Sequence, residues 1–345
     1  MTRSPMPIAT ALGAAALFGA STPAAKTLAG ELHPVLLAGL LYAGSGLGLG
    51  VFLALRGDFR PVPRADLPWL AAAIASGGVA GPVLLMIGLA RTGASTASLL
   101  LNLEGVFTAL LAWFAFRENF DRRIALGMAL IVAGGGLLAF EPEALAAGER
   151  IGPLCVAGAC LAWAVDNNLT RRVSAADPVL IAAAKGAVAG AVNLLVAGWA
   201  GAAWPGIERA ALSAGIGLFG YGVSLALFVV ALRDLGAART GAYFSAAPFV
   251  GVALSLAMLG EAPGPLFWPA AALMAAGVWL HVSERHEHEH VHEPMEHEHR
   301  HAHDEHHRHA HDFPWDGSEP HSHVHRHEQL VHRHPHYPDL HHRHH

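Results

Sequence analysis

The sequence predicts an all-α membrane protein of ten transmembrane helices, arranged as two inverted five-helix repeats and followed by a disordered C-terminal tail. Three observations predict it. Only 14% of the 345 residues are charged and 53% are hydrophobic, whereas a soluble domain carries about a quarter charged residues. Apolar runs long enough to cross a bilayer recur from Met6 to Val282. Of the 25 histidines only His33 precedes residue 281, so two regimes of chemistry share one chain.

Charge divides at the same place. Residues 1–280 hold 16 Lys+Arg and 14 Asp+Glu, and residues 281–345 hold 6 and 13, so the net charge of −5 originates in the tail. No basic patch points to nucleic acid. Cys155 and Cys160 sit five residues apart in one apolar run, where a bridge of normal geometry does not form. Met1 to Ala25, with Arg3 at its charged end, has the outline of a signal peptide. More apolar spans follow at once, so it reads as the first helix.

A helix needs about 20 apolar residues to cross the hydrocarbon core. The predicted spans are Met6–Ala25, Pro34–Leu55, Leu67–Ala90, Ala94–Phe116 and Ile124–Phe140, then Ile151–Thr170, Pro178–Trp199, Ala210–Leu232, Thr240–Gly260 and Pro265–Val282. Abundant glycine, such as Gly39, Gly44, Gly46, Gly48 and Gly50 in the second span, suits close helix contact in lipid.

Orientation follows from Lys and Arg in the loops. With the N-terminus inside, the inner segments carry Arg3, Arg56, Arg60, Arg64, Arg117, Arg122, Arg123, Arg171, Arg172, Arg233 and Arg239. The outer ones carry only Lys26, Arg91, Arg150 and Arg209. Both termini are therefore predicted to be cytoplasmic, in a multi-pass protein of the cell inner (plasma) membrane.

The body repeats itself. His33-Pro34-Val35-Leu36 answers to Asp177-Pro178-Val179-Leu180 at an offset of 144. At an offset of 143, Leu89 and Gly93-Ala94 answer to Leu232 and Gly236-Ala237, Glu118 to Glu261, and Ala133-Gly134 to Ala276-Gly277. Five spans per repeat is an odd number, so the second copy enters the membrane upside down. Two such halves can exchange roles in alternating access. The domains read as 1–145 and 146–284 for the repeats and 285–345 for the tail.

Phe18-Gly19-Ala20-Ser21-Thr22-Pro23-Ala24-Ala25-Lys26 resembles the opening helix of the drug/metabolite transporter superfamily, in particular its EamA-type members. Asp177-Pro178 followed by Lys185 resembles the start of that domain's second helix. Phe116-Arg117-Glu118 and Leu259-Gly260-Glu261 resemble the acidic residue closing its fourth. The first repeat has Leu41 where a basic residue is usual, and Glu104-Gly105 where the second keeps Ala247-Pro248. The resemblance implies a ten-helix transporter with a central cavity between its halves, moving amino acids, metabolites, drugs or sugars, usually outward.

Ionisable side chains inside a span cost several kcal/mol unless paired or wet, which makes each a candidate. Glu104 lies midway along the fourth span, two residues after Asn102; it can bind a cation or carry a proton, or simply hold a neighbouring helix. Asp166, Asn167 and Asn168 lie in the inner half of the sixth span, and Lys185 in the inner half of the seventh, so Asp166 and Lys185 can reach each other as a working pair or a packing one. Glu118 and Glu261 end their spans at opposite faces, as solvated acids or as gates. Trp163, Tyr221 and Tyr243 line a cavity or anchor the interface.

From Arg285 onward His-x-His alternation dominates: His286, His288, His290 and His292, then His297, His299, His301 and His303. Too few apolar residues remain to bury a core, which predicts disorder without a ligand. The segment is also duplicated. His292-Glu293, His297-x-His299-x-His301, Asp304 and His306-His307-Arg308-His309 recur thirty-five residues later as His327-Glu328, His332-x-His334-x-His336, Asp339 and His341-His342-Arg343-His344. Neutral imidazole suits zinc, nickel, cobalt and copper, and alternate residues of an extended chain point the same way. His-x-His can thus present two nitrogens to one ion, with nearby Asp and Glu adding oxygen ligands; the plainer readings are a solubilising tail or one that merely gains charge below about pH 6.5.

No nucleophile–base arrangement or phosphate loop is present, so an enzyme is not expected, nor a required cofactor. The expected function is a secondary transporter, an exporter of a small-molecule solute such as an amino acid or metabolite, with a cytoplasmic tail that binds divalent metal ions. The alternatives are a divalent transition-metal transporter and a membrane-anchored metal sensor. Expected partners are the solute, membrane lipid, the metal ions and, as an assembly, a homodimer.

Overall fold

The computed structural model describes residues 6–57, 61–116, 122–139, 150–170, 173, 176–235 and 237–283, together with the strand segments 286–292, 295–301, 321–327 and 330–336. The chain divides into two compact units, Met1–Glu284 and Arg285–His345.

The first unit is helical. Its elements are α1 Met6–Lys26, α2 Pro34–Arg56, α3 Arg64–Arg91, α4 Ala94–Leu100, α5 Leu103–Phe116, α6 Arg122–Ala139, α7 Ile151–Thr170, α8 Pro178–Trp199, α9 residues 206–235, α10 Ala237–Phe244, α11 Ala247–Leu259 and α12 Phe267–Val282. Among the described residues seven segments are long and apolar enough to cross a membrane: α1, α2, α3, Ala94–Leu111, α6, α8 and Gly206–Phe228. The sequence predicts ten. α7 has the length, but Asp166, Asn167 and Asn168 dilute its apolar character, and α11 and α12 are shorter apolar helices.

Local chemistry sets the helix ends. Pro34 and Pro178 occupy the first turns of α2 and α8, where a missing N–H costs nothing. Asp177 caps α8 by accepting from the backbone N–H groups of Val179 (2.8 Å) and Leu180 (3.3 Å). α2 stops at Gly57 and α11 at Gly260, both left-handed, with φ 71° and 62°, the conformation glycine adopts most cheaply.

Packing follows a pseudo-twofold. Under the sequence repeat α1 corresponds to α7, α2 to α8, α3 to α9, α5 to α11 and α6 to α12. The closest helix contacts join α2 to α8 and α6 to α12, equivalent helices meeting each other, and also α3 to α7, α1 to α9, α5 to α7 and α1 to α11. Both self-paired contacts are antiparallel and in register. A Cβ at Gly190 would lie 2.6 Å from the Ala43 nitrogen, and its mate Gly46 faces the Ala187 nitrogen even more closely. Gly127 faces the Gly277 carbonyl as Gly134 faces that of Ala270, each with 2.9 Å for an added Cβ. Backbones approach this closely only where side chains are absent. Equivalent helices running in opposite directions are what an inverted repeat produces.

Irregularities repeat too. α3 contains a π-helical segment, Ile74–Ala80, and α9 contains another, Leu218–Val223. A turn at Leu101–Asn102 separates α4 from α5, and one at Ser245–Ala246 separates α10 from α11. π segments and interrupted helices put backbone carbonyls and helix ends inside the bundle, where transporters build sites.

The tail segments are extended. β1 His286–His292, β2 Met295–His301, β3 His321–His327 and β4 Leu330–His336 form two antiparallel pairs, β1 with β4 and β2 with β3. The sequence predicts disorder here. Alternation with period two is the strand period, and it favours an extended chain even where no apolar face exists to bury.

Candidate functional site

The interruption at Leu101–Asn102 starts a new helix in mid-span, and Glu104 sits in the first turn of α5. Its Oε1 accepts a hydrogen bond from Asn167 Nδ2 on α7 at 2.9 Å. The same amide reaches Thr108 Oγ1 at 3.3 Å, and Asn168 Nδ2 donates to the backbone carbonyls of Thr108 (3.2 Å) and Ala164 (2.9 Å). Two amides on one turn of α7 thereby clasp α5. Glu104 is half-buried, and its neighbours Asn167 and Gly105 are exposed.

Asp166, one residue before Asn167, points elsewhere. Lys185 Nζ on α8 donates to both its oxygens, at 2.5 and 2.6 Å, and Thr170 Oγ1 donates to Oδ1 at 2.8 Å. The pair is sheltered, with side-chain exposures of 18% for Lys185 and 7% for Asp166. A buried ion pair holds when its remaining hydrogen-bonding positions are filled, and Thr170 fills one. Lys185 is thus engaged with Asp166, and among the described residues Glu104 has an amide partner and no ion-pair partner.

Gly77, in the π segment of α3, connects these groups. A Cβ there would overlap the Asp166 carboxylate, so the glycine admits it. The Gly77 carbonyl accepts from Tyr42 Oη at 3.0 Å and from Trp163 Nε1 at 2.9 Å. Tyr42 lies against Tyr221 of the other π segment, with ring centroids 5.6 Å apart. Phe18 meets Tyr221 edge-on at 6.0 Å and Phe244 at 5.4 Å. An aromatic line therefore crosses both repeats beside the Glu104 cluster.

Of the residues named from sequence, Glu104, Asp166, Asn167, Asn168, Lys185 and Trp163 are brought together around α7. Tyr243 lies half-buried on α10, outside the hydrogen bonds and ring contacts of that cluster. Sequence reasoning missed Tyr42, Gly77, Thr108, Thr170, Phe18 and Phe244. The only available signal was a glycine pair, Gly77-Gly78, in mid-span. The histidines His286, His288, His290, His292, His297, His299, His301, His332, His334 and His336 fall on the tail strands. His303 and Glu118 lie outside the described residues.

At the Lys26 end, Glu261 accepts from the backbone N–H groups of Ala94 (2.6 Å) and Ser95 (2.8 Å) at the start of α4. Lys26 Nζ donates to the carbonyls of Leu89 (2.5 Å) and Thr92 (2.7 Å) that end α3. α4 packs closely on α11 there. Glu261 therefore ties the second repeat to the first at this end. At the Arg56 end Arg56 pairs with Asp177, joining α2 to α8. Burial pushes the Asp177 carboxyl up, but Arg56 and the N–H groups of Val179 and Leu180 outweigh it and hold its pKa below the ordinary carboxylate value. That stabilisation is present above the unfolded pKa and is lost as pH falls through the lowered folded one.

This is the arrangement of a membrane transporter with a polar mid-membrane site between two inverted halves. The EamA-like transporter family matches residues 5–140 and 150–283, one copy on each repeat, and the chain belongs to that family. An uncharacterized transporter of Methanothermobacter thermautotrophicus (strain ATCC 29096 / DSM 1053 / JCM 10044 / NBRC 100330 / Delta H) is 27% identical over 282 residues, 76% of this chain and 82% of the relative. A solved crystal structure shares the fold, with TM-score 0.57 and 21% identity over 79% of this chain and 94% of that one.

Proposed function

We propose that this chain is an inner-membrane secondary transporter that exports a small organic solute such as an amino acid or metabolite by alternating access, with ten spans and both termini in the cytoplasm. The observation that carries the reading is Glu104: a mid-span carboxylate bonded to an amide of the other repeat, at a helix break where Asn167 and Gly105 are exposed. In this reading the Lys26 end is periplasmic and closed by Glu261, and the cavity faces the cytoplasm. Glu104 binds a cationic group of the solute or carries a coupling proton. Tyr42, Tyr221 and Trp163 shape the wall, and Asp166–Lys185 fixes the angle between α7 and α8. Comparing metabolites in the medium of cells with and without the gene tests it: a solute enriched outside only when the gene is present is expected, and identical profiles count against export.

Orientation has its own test. A reporter active only in the periplasm gives no signal when fused after Asp66 and a strong one after Glu143. The reverse pattern overturns the assignment of ends.

The tail, on this reading, binds divalent transition-metal ions in the cytoplasm and makes transport responsive to them. Truncation after Glu284 then leaves basal solute export intact and abolishes its response to added zinc or nickel. A change in cellular metal content on truncation, with solute export unaffected by metal throughout, makes the metal the cargo instead.

A further inference from the structure

Register turns the tail's histidine content into a specific geometry. In the first strand pair His286 faces His336, His288 faces His334 and His290 faces His332. In the second His297 faces His325, His299 faces His323 and His301 faces His321. Directly opposed residues share a face of the ribbon, as do alternate residues of one strand. Each pair therefore places three histidine rungs on one face. The intervening positions carry other chemistry, including Glu289 opposite Arg333 and Glu296 opposite Arg326, opposite-charge partners that favour this register.

The duplication supports the same pairing independently. Carried back from the blocks already described, the offset of thirty-five also matches His286, His288 and His290 to His321, His323 and His325. The unit is thus a pair of strands: β1 corresponds to β3 and β2 to β4. Each unit pairs with the other unit and not with itself, β1 on β4 and β2 on β3. Duplication supplies both halves of each ribbon.

Resting on the reading of the tail as metal-binding, we propose that its transition-metal sites are built across strands, each from two neighbouring histidine rungs, so that one ion is held jointly by β1 and β4 and another by β2 and β3. Opposed Cα atoms in an antiparallel pair lie about 4.5–5.5 Å apart, and alternate residues of one strand about 6.5 Å. Two rungs thus bring four histidine positions to the corners of a small rectangle of Cα atoms, and imidazole is a donor suited to zinc, nickel or copper. A two-stranded ribbon is marginal in water by itself. Ligands drawn from both strands make metal binding and strand pairing one event. The ion closes the ribbon, and the tail reports metal by changing from open chain to paired strands.

The test is the metal content of the purified full-length chain after equilibrium dialysis against zinc or nickel at about pH 7.5, where imidazole is mostly neutral. Three variants are compared with the parent: His286, His288 and His290→Ala; His332, His334 and His336→Ala; and all six together. A fourth joins the first triple to His297, His299 and His301→Ala. Either triple loses about half of the tightly held metal, because each strand supplies half the ligands of one ion. The six-residue variant within one ribbon loses no more than either triple, while the variant spanning both ribbons loses nearly all. Losses that add within one ribbon overturn the cross-strand sites and leave metal binding to separate His-x-His pairs. A parent chain that retains no metal overturns the metal-binding reading itself.

Discussion

Glu104→Gln lowers solute export by about a hundredfold, the lower end of what a positioned proton-transferring group contributes, and removes whatever pH dependence export has. The protein still folds, because Gln retains a carbonyl that accepts from Asn167 and adds no volume beside Gly105, which has open space around it. What is lost is the charge and the exchangeable proton. Export assayed across the pH range in cells carrying either form measures this. Unchanged export with an unchanged pH profile would reduce Glu104 to a helix tie.

The second large effect concerns Asp166 and Lys185. Asp166→Asn and Lys185→Met each strand one sheltered charge, and breaking a buried pair costs about 3–5 kcal/mol. Each single variant therefore unfolds at a clearly lower temperature, and its export falls with it. The double variant removes both charges and is less damaged than the two single losses combined, since no uncompensated ion remains. Thermal unfolding of the four proteins in detergent gives the coupling. Strict additivity would show that the 2.5 and 2.6 Å contacts carry no coupling energy. Asp166 also fills the space that Gly77 leaves free, so the pair connects to the π segment and, through it, to Tyr42 and Trp163.

These two predictions rest on residues that the sequence itself marks, and for a physical reason. A carboxylate or ammonium in an apolar run is conspicuous because lipid makes it expensive. The spans are legible because hydrocarbon thickness sets their length. The internal repeat is legible because close helix contacts leave glycines at fixed offsets, and Gly46 and Gly190 prove to be mates in one antiparallel contact.

Other features stayed hidden because they arise only in three dimensions. Nothing in Ile74–Ala80 or Leu218–Val223 announces π geometry; the segments widen where Asp166 and Ser21 press against Gly77 and Gly220. Tyr42 carries no mark in the sequence, and its role appears only where Gly77 presents a carbonyl to it. Glu261 has the appearance of a solvated helix end, yet it spans the repeats to bond Ala94 and Ser95. Phe244, next to Tyr243, carries no mark in the sequence, yet it meets Phe228 ring to ring and reaches Phe18. In the tail, composition gives the donors and the period, but only the strand register sets His288 opposite His334.

Alternating access around Glu104 is the central claim, and it can be measured without knowing the solute. Gly105 is exposed with nothing near its missing Cβ, so Gly105→Cys adds a thiol at the site without strain; Cys155 and Cys160 are first replaced by Ala. A membrane-impermeant maleimide is applied to inverted and to right-side-out vesicles. The thiol is expected to react from the cytoplasmic face and to be protected from the periplasmic face. Glu261→Gln, by weakening the tie to Ala94 and Ser95, is expected to expose it from the periplasmic face as well. A thiol that reacts from neither face, or equally from both whether or not Glu261 is intact, would contradict a gated cavity between the two halves.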